Sequence, residues 1–186
     1  MKYPTKLKNN KRSISYGNRG MSLENDLNET NNFYLINNKA IIYKKPTPIT
    51  ITKVDFPNRK DAVIKEAYFK IPSTTDYNGI YKGKYIDFEA KETKNNNFPL
   101  SNIHVHQIEH LKKIAEHGGI SFLIVRFTLK NKTFLLETKN LVKFIKESTR
   151  KSIPLNYFEN YGYLIKDKFN PRIDYLEIID NYIYKD

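Results

Sequence analysis

Apolar residues in this chain come in short blocks, and the period of each block changes along the sequence. Leu23, Leu27 and Tyr34 recur at helical spacing behind Ser22, a residue suited to cap a helix. Glu24, Asp26 and Glu29 enrich the N-terminal half, where the helix dipole favours anions. A helix is therefore predicted from Ser22 to about Asn37-Asn38, followed by a short strand from Ala40 to Tyr43. Lys44-Lys45-Pro46-Thr47-Pro48 then breaks the pattern, because two prolines so close exclude a central strand and a helix interior. Residues 49–72 alternate apolar and basic groups and read as a strand pair projecting from the body. Thr74 to Lys91 reads as a β-hairpin turning at Lys82-Gly83. On its second strand Ile86, Phe88 and Ala90 face the core, and Tyr85, Asp87, Glu89 and Lys91 line a surface or cleft.

The remaining pattern completes a mixed layer structure. Asn95 to Pro99 is predicted as a loop, and a helix from Ser101 or Asn102 to His117 ends at Gly118-Gly119. The continuous apolar run from Gly119 to Phe127 suits a buried strand, with another strand over Lys132–Glu137 and a helix over Thr138–Glu147. A last segment, Arg172 to Tyr184, carries Ile173, Leu176, Ile179 and Tyr182 at helical spacing. This order gives an α/β sandwich around a central sheet.

Charge adds a partner. The 186 residues suit one domain, or one domain with an appendage, and carry a net charge of +12. Such an excess suits a polyanion, most simply nucleic acid, although a chain rich in Lys, Asn and Ile also reflects a basic, AT-biased proteome. Residues 1–20 hold Lys2, Lys6, Lys8, Lys11, Arg12 and Arg19 without a carboxylate. They read as a flexible basic arm that lies along a phosphate backbone or merely solubilises the chain. The projection likewise reads as a nucleic-acid contact or as a plain surface hairpin. The candidate DNA contacts are Arg19, Lys44, Lys45, Arg59, Lys65, Tyr68 and Phe69. The absence of cysteine excludes disulfides, thiolate metal sites and a cysteine nucleophile. No apolar run approaches a membrane span, and the basic N-terminus lacks the apolar core of a secretory signal, so the expected compartment is the cytoplasm.

The hairpin carries the chemistry. If Lys82-Gly83 is a two-residue turn, Asp76 lies opposite Glu89 and Thr74 opposite Lys91. Opposed carboxylates repel, and a divalent cation turns that repulsion into attraction. Magnesium takes one or two carboxylates and completes its shell with water and phosphate oxygens. Lys91 would orient a water or stabilise phosphoryl charge, so the set suits phosphodiester hydrolysis. The competing reading is a surface salt-bridge ladder of little consequence. Asp87 shares the face one step further off and is a reserve candidate. His106 and His110 have the spacing of a helical metal pair but no third ligand, and Gln107 stands where a zinc hydrolase motif has glutamate.

Asp76 followed by Glu89-Ala90-Lys91 resembles the PD-(D/E)xK nuclease motif, with Thr75 in place of its proline. A longer text is more specific: Tyr16-Gly17-Asn18-Arg19-Gly20-Met21, Lys44 to Pro48, Glu66-Ala67-Tyr68-Phe69, Ser73 to Asn95, Phe98-Pro99-Leu100, His106-Gln107 and Pro171 to Tyr175. Together they resemble the RecU family of Holliday junction resolvases, most strongly from Arg19 to Val125. The resemblance implies a restriction-endonuclease-like α/β fold, a central mixed sheet flanked by helices, with a protruding β stalk at about 44–71. Residues 21–186 would form a single nuclease domain behind the arm at 1–20. It implies a homodimeric, Mg²⁺-dependent endonuclease, with Mn²⁺ a possible substitute, that cuts four-way DNA junctions by symmetric paired nicks in recombination and repair. Thr74, Asp76, Glu89 and Gln107 would be metal ligands, with Asp76, Glu89 and Lys91 catalytic and Lys91 the transition-state stabiliser. The recombinase RecA would be a partner. The alternatives are a non-catalytic module that binds branched DNA and a general or restriction-type nuclease.

Overall fold

The computed structural model describes residues 22–58, 60–70 and 74–183. The basic arm with Arg19, and Arg59 in the projection, lie outside these residues. Around Lys82-Gly83 the hairpin forms as its turn chemistry requires. Lys82 and Gly83 both adopt positive φ, 47° and 73°, the backbone of a two-residue hairpin turn. They join β4 (Tyr77–Tyr81) to β5 (Lys84–Thr93), with Tyr81 opposite Lys84 and Tyr77 opposite Phe88. One step further out this register sets Asp76 opposite Glu89, as the sequence predicts.

β5 sits inside a six-stranded mixed sheet. β1 (Ile41–Lys44) flanks β4 antiparallel, and β7 (Ile120–Phe127) lies parallel to β5 on its other side. β8 (Lys132–Glu137) and β10 (Tyr163–Ile165) complete the order β1-β4-β5-β7-β8-β10. Gly79 of β4 allows β1 to approach, because a Cβ there would stand 2.0 Å from Ile41 O and 2.6 Å from Ile42 Cα.

Helices cover both faces of the sheet. α1 (Leu23–Ile36) and the C-terminal α5 (Tyr175–Ile178), continued by a π turn over Ile179–Ile183, pack on one face. There Phe88 stacks between Tyr77 and Phe122, with both centroid distances 4.8 Å. The other face holds α2 (Val105–Glu116), α3 (Thr138–Glu147) and α4 (Leu155–Tyr161) over Leu123, Val125, Phe134 and Leu136. β7 feeds apolar side chains to both cores, as a strand buried on two faces must. β5 feeds only one, since its other row is Asp87, Glu89 and Lys91. A polar row on an interior strand is the fold's main departure from a uniform core.

The stalk is a separate two-stranded sheet. Among the described residues β2 (Ile49–Asp55) and β3 (Val63–Phe69) pair only with each other, and every position on both strands is exposed. The α/β class, the central sheet flanked by helices and the projecting strand pair are thus as expected. Other elements differ from the sequence reading. The expected loop at 95–99 contains β6 (Asn97–Pro99), paired with β9 (Ser152–Pro154), and residues 148–165 add α4 and β10. Three-residue strands are too short to display alternation, and Phe98 opposite Ile153 is a partnership only the fold supplies. The predicted helix at 101–117 begins at Val105, behind a 3₁₀ turn at Leu100–Asn102. The C-terminal segment has the expected helical spacing but only one regular turn before it widens.

Candidate active site

Asp76 and Glu89 hold each other through the backbone. The Asp76 N–H donates to Glu89 Oε2 at 3.1 Å, and the Ala90 N–H donates to Asp76 Oδ2 at 3.2 Å. Where the β4–β5 ladder runs out, these two side chains take over the peptide groups. Lys91 Nζ lies 2.5 Å from Glu89 Oε1. The Glu89 side chain is 0 % exposed and that of Lys91 28 %. A surface salt-bridge ladder does not describe this row, because Asp87 and Glu89 are fully buried and Lys91 is half-buried.

Burial raises the affinity of Glu89 for a proton, and the neighbouring Asp76 charge raises it further. Lys91 offsets part of this, and the Glu89 carboxyl is pushed up to about 7. A cleft of about 250 Å³ lies on the α1 side of these strands, lined by Asp76, Tyr77, Ala90, Lys91 and Glu92 and by Ser22, Leu23, Glu24 and Lys44. Asp76 and Lys91 border this cleft, and the fully buried Glu89 does not. At the rim, Lys44 pairs with Glu24 at 2.5 Å. The N-terminus of α1 forms the far wall, and its Leu23 N–H donates to Glu92 Oε1 at 2.8 Å.

These residues fit a hard divalent cation. Two carboxylates are pressed together and one has become a weak acid, a condition a cation relieves. All the donors are oxygens, which suits magnesium-type ions. Among the described residues no group of three or more His, Asp or Glu side chains converges on one point. Two carboxylates leave the rest of a coordination shell to water and phosphate, as magnesium prefers.

The other expected residues stand differently. Thr74 is half-buried at the approach to β4. Gln107 is buried, and its Oε1 accepts the His104 N–H at 3.0 Å, closing the first turn of α2. Among the described residues, neither hydrogen-bonds to Asp76 or Glu89. On the stalk, Phe69 is 83 % exposed, the Tyr68 hydroxyl donates to Glu66 at 2.5 Å, and Lys65 pairs with Asp55 at 3.4 Å. Lys45 is not displayed with them. Its ammonium lies 2.8 Å from Asp87 Oδ2 and 2.8 Å from Thr75 Oγ1, inside the body.

Asp87, weighed above only as a reserve, is the centre of a buried network. Besides Lys45, it accepts from the hydroxyls of Thr75 and of Tyr85, the latter at 3.0 Å, and lies 3.2 Å from His110 Nε2 on α2. The sequence signal for this network was the alternation that puts Asp87 on the same face as Glu89. Its partners Lys45 and His110 are distant in sequence and carry no shared motif.

The description Recombination protein U, RecU, matches residues 18–181. The chain belongs to the RecU family. A protein named Holliday junction resolvase RecU from Bacillus cytotoxicus is 58% identical over 170 residues, covering 89% of this chain and 85% of that protein. A namesake from Bacillus mycoides is 55% identical over 170 residues, with the same coverage of 89% and 85%. Among solved structures, Hjc of Archaeoglobus fulgidus, a Holliday junction resolvase, aligns with a TM-score of 0.46 and 14% identity over 76% of this chain and 93% of that one.

Proposed function

We propose that this chain is a metal-dependent endonuclease that resolves Holliday junctions by hydrolysing phosphodiesters at the Asp76–Glu89–Lys91 site. The observation that supports this most is the meeting of two carboxylates and a lysine across one hairpin in a chain of the RecU family. Asp76 and Glu89 would hold the ion, and magnesium suits their oxygen donors best, with manganese a substitute. The bound ion would neutralise phosphate charge and activate water. Thr74 and Gln107 are further ligands by family resemblance, and Gln107 would need to release its bond to His104 to serve.

The protein's own groups divide the remaining work. Lys91, which borders the cleft and pairs its ammonium with Glu89, would stabilise the charge that develops on the scissile phosphoryl group. Lys44 at the rim offers a second cation to the backbone of the DNA. Phe69 and Tyr68, displayed on the stalk, offer faces for base stacking. A two-fold dimer would present two such sites to two strands of like polarity, which yields paired nicks. Contact with the recombinase RecA follows from the family resemblance and is tested by co-sedimentation with RecA filaments.

The deciding assay incubates purified protein with a synthetic four-way junction and with linear duplex of the same sequence, with and without Mg²⁺. Cutting of the junction alone, only with Mg²⁺, is expected. Equal cutting of both leaves a general nuclease, and salt-sensitive binding without cutting leaves an architectural module.

A further inference from the structure

The buried network around Asp87 touches the active-site segment at its most sensitive point. Thr75 and Asp76 form the link by which the chain returns from the stalk into β4, and this link lies outside the registered ladder. One residue on the outgoing side of the stalk grips it in two ways. The Lys45 backbone N–H donates to the Asp76 carbonyl at 2.8 Å. The same residue's ammonium donates to Thr75 Oγ1 at 2.8 Å and to Asp87 Oδ2 at 2.8 Å. Thr75 in turn donates its hydroxyl to Asp87 Oδ1. Asp87 is 0 % exposed and the Lys45 side chain 18 %. A second strand-like bond follows at the root of the stalk, from the Lys70 N–H to the Pro48 carbonyl at 3.0 Å.

The chemistry of this arrangement is that of a brace. Asp87 is an anion on an interior strand, and its main cation is Lys45, supported by the hydroxyls of Thr75 and Tyr85 and by His110 Nε2 from α2. That fixed charge anchors the lysine. The lysine fixes Thr75 and the Asp76 carbonyl on either side of the Asp76 Cα. With both flanking groups held, the direction of the Asp76 Cα–Cβ bond is set, and the Ala90 N–H bond to Oδ2 then selects the rotamer that faces Glu89. A ligand carboxylate is placed by the groups behind it as much as by its own bonds.

We infer that Lys45 is a positioning residue that holds Asp76 in ligating geometry, rather than a contact to the DNA backbone. The inference rests on Asp76 and Glu89 being the cation site, and it is tested through the cation itself. Mn²⁺ affinity is measured by calorimetry and junction affinity by fluorescence anisotropy in EDTA, for the wild-type protein, Lys45→Met, Lys45→Arg and the double variant Lys45→Met with Asp87→Asn. Loss of an orienting partner typically weakens metal binding by about 10- to 100-fold. Lys45→Met is expected to lose at least about 10-fold in Mn²⁺ affinity while junction affinity stays within about twofold, and Lys45→Arg to recover most of the loss. The double variant removes the unpaired buried charge, so its melting temperature should return toward wild type while its Mn²⁺ affinity stays low. Mn²⁺ affinity that recovers with the melting temperature would overturn the inference by making Lys45 a stabilising residue only. A Lys45→Met variant with unchanged Mn²⁺ affinity and weakened junction binding would overturn it in favour of a DNA contact. Wild-type protein that binds Mn²⁺ with this Lys45 dependence but cuts no junction would support the brace and defeat the proposed function instead.

Discussion

Replacing Glu89 with glutamine should make the metal-free protein more stable at pH 8 and leave it nearly unchanged at pH 5. The Glu89 carboxyl is pushed from its usual 4.5 up to about 7, first by burial and then by the Asp76 charge, against a smaller opposing pull from Lys91. Below about 4.5 both folded and unfolded chains carry the proton, and the group contributes no pH dependence. Between about 4.5 and 7 the unfolded chain releases it and the folded chain keeps it, so stability falls as pH rises. Above about 7 the full cost of the buried charge is present. At roughly 1.4 kcal/mol per pH unit, the gap amounts to about 3 kcal/mol. Glutamine mimics the protonated carboxyl, so Glu89→Gln should recover most of that at pH 8 and under about 1 kcal/mol at pH 5. For a chain of this size the pH 8 gain corresponds to roughly 6–12 °C in Tm. Calorimetric melts in EDTA at the two pH values measure it, and the difference between the proteins removes the contribution of the histidines, which both share. Mg²⁺ should stabilise wild-type protein at pH 8 and have little effect on the glutamine variant. If the two proteins melt together at pH 8, or the variant melts lower, the carboxylate pair carries no strain for a cation to relieve.

Three further outcomes are expected. Lys91→Met should lower junction cutting by about 100-fold or more while junction binding in EDTA is unchanged, as single-turnover kinetics and anisotropy would show. Phe69→Ala on the exposed stalk should leave Tm within about 1 °C but weaken junction binding by about 1–3 kcal/mol, the size of one lost stacking contact; an equal loss of Tm would place Phe69 in the fold instead. Gly79→Ala would drive a methyl into the Ile41 carbonyl and the Ile42 Cα, with no flexible side chain able to yield, and should cost about 3 kcal/mol or more in urea unfolding.

The hairpin was legible because its information is local. Lys82-Gly83 sets the turn, the turn sets the register, and the register brings Asp76 to Glu89 without further help. The proline pair and the alternating strands 49–55 and 63–69 likewise announced a projection. Burial was not legible. The alternation on β5 shows which residues share a face but not that α2 closes over that face, and the difference separates a solvated ladder from a strained pair. Lys45 shows the same limit from another side. Its position in a basic, proline-broken segment suggests phosphate contact, yet its ammonium meets a carboxylate 42 positions later. Phe98 and Ile153 pair over a comparable gap, and neither flank carries a pattern long enough to foretell it.

Anomalous diffraction from crystals soaked in Mn²⁺ tests the cation site most directly. One peak is expected between Asp76 and Glu89, with carboxylate oxygens from both at about 2.0–2.2 Å and Lys91 still beside Glu89. A peak elsewhere in the cleft, or Asp76 and Glu89 still bonded only to each other's backbone with no ion between them when DNA is bound, would contradict it.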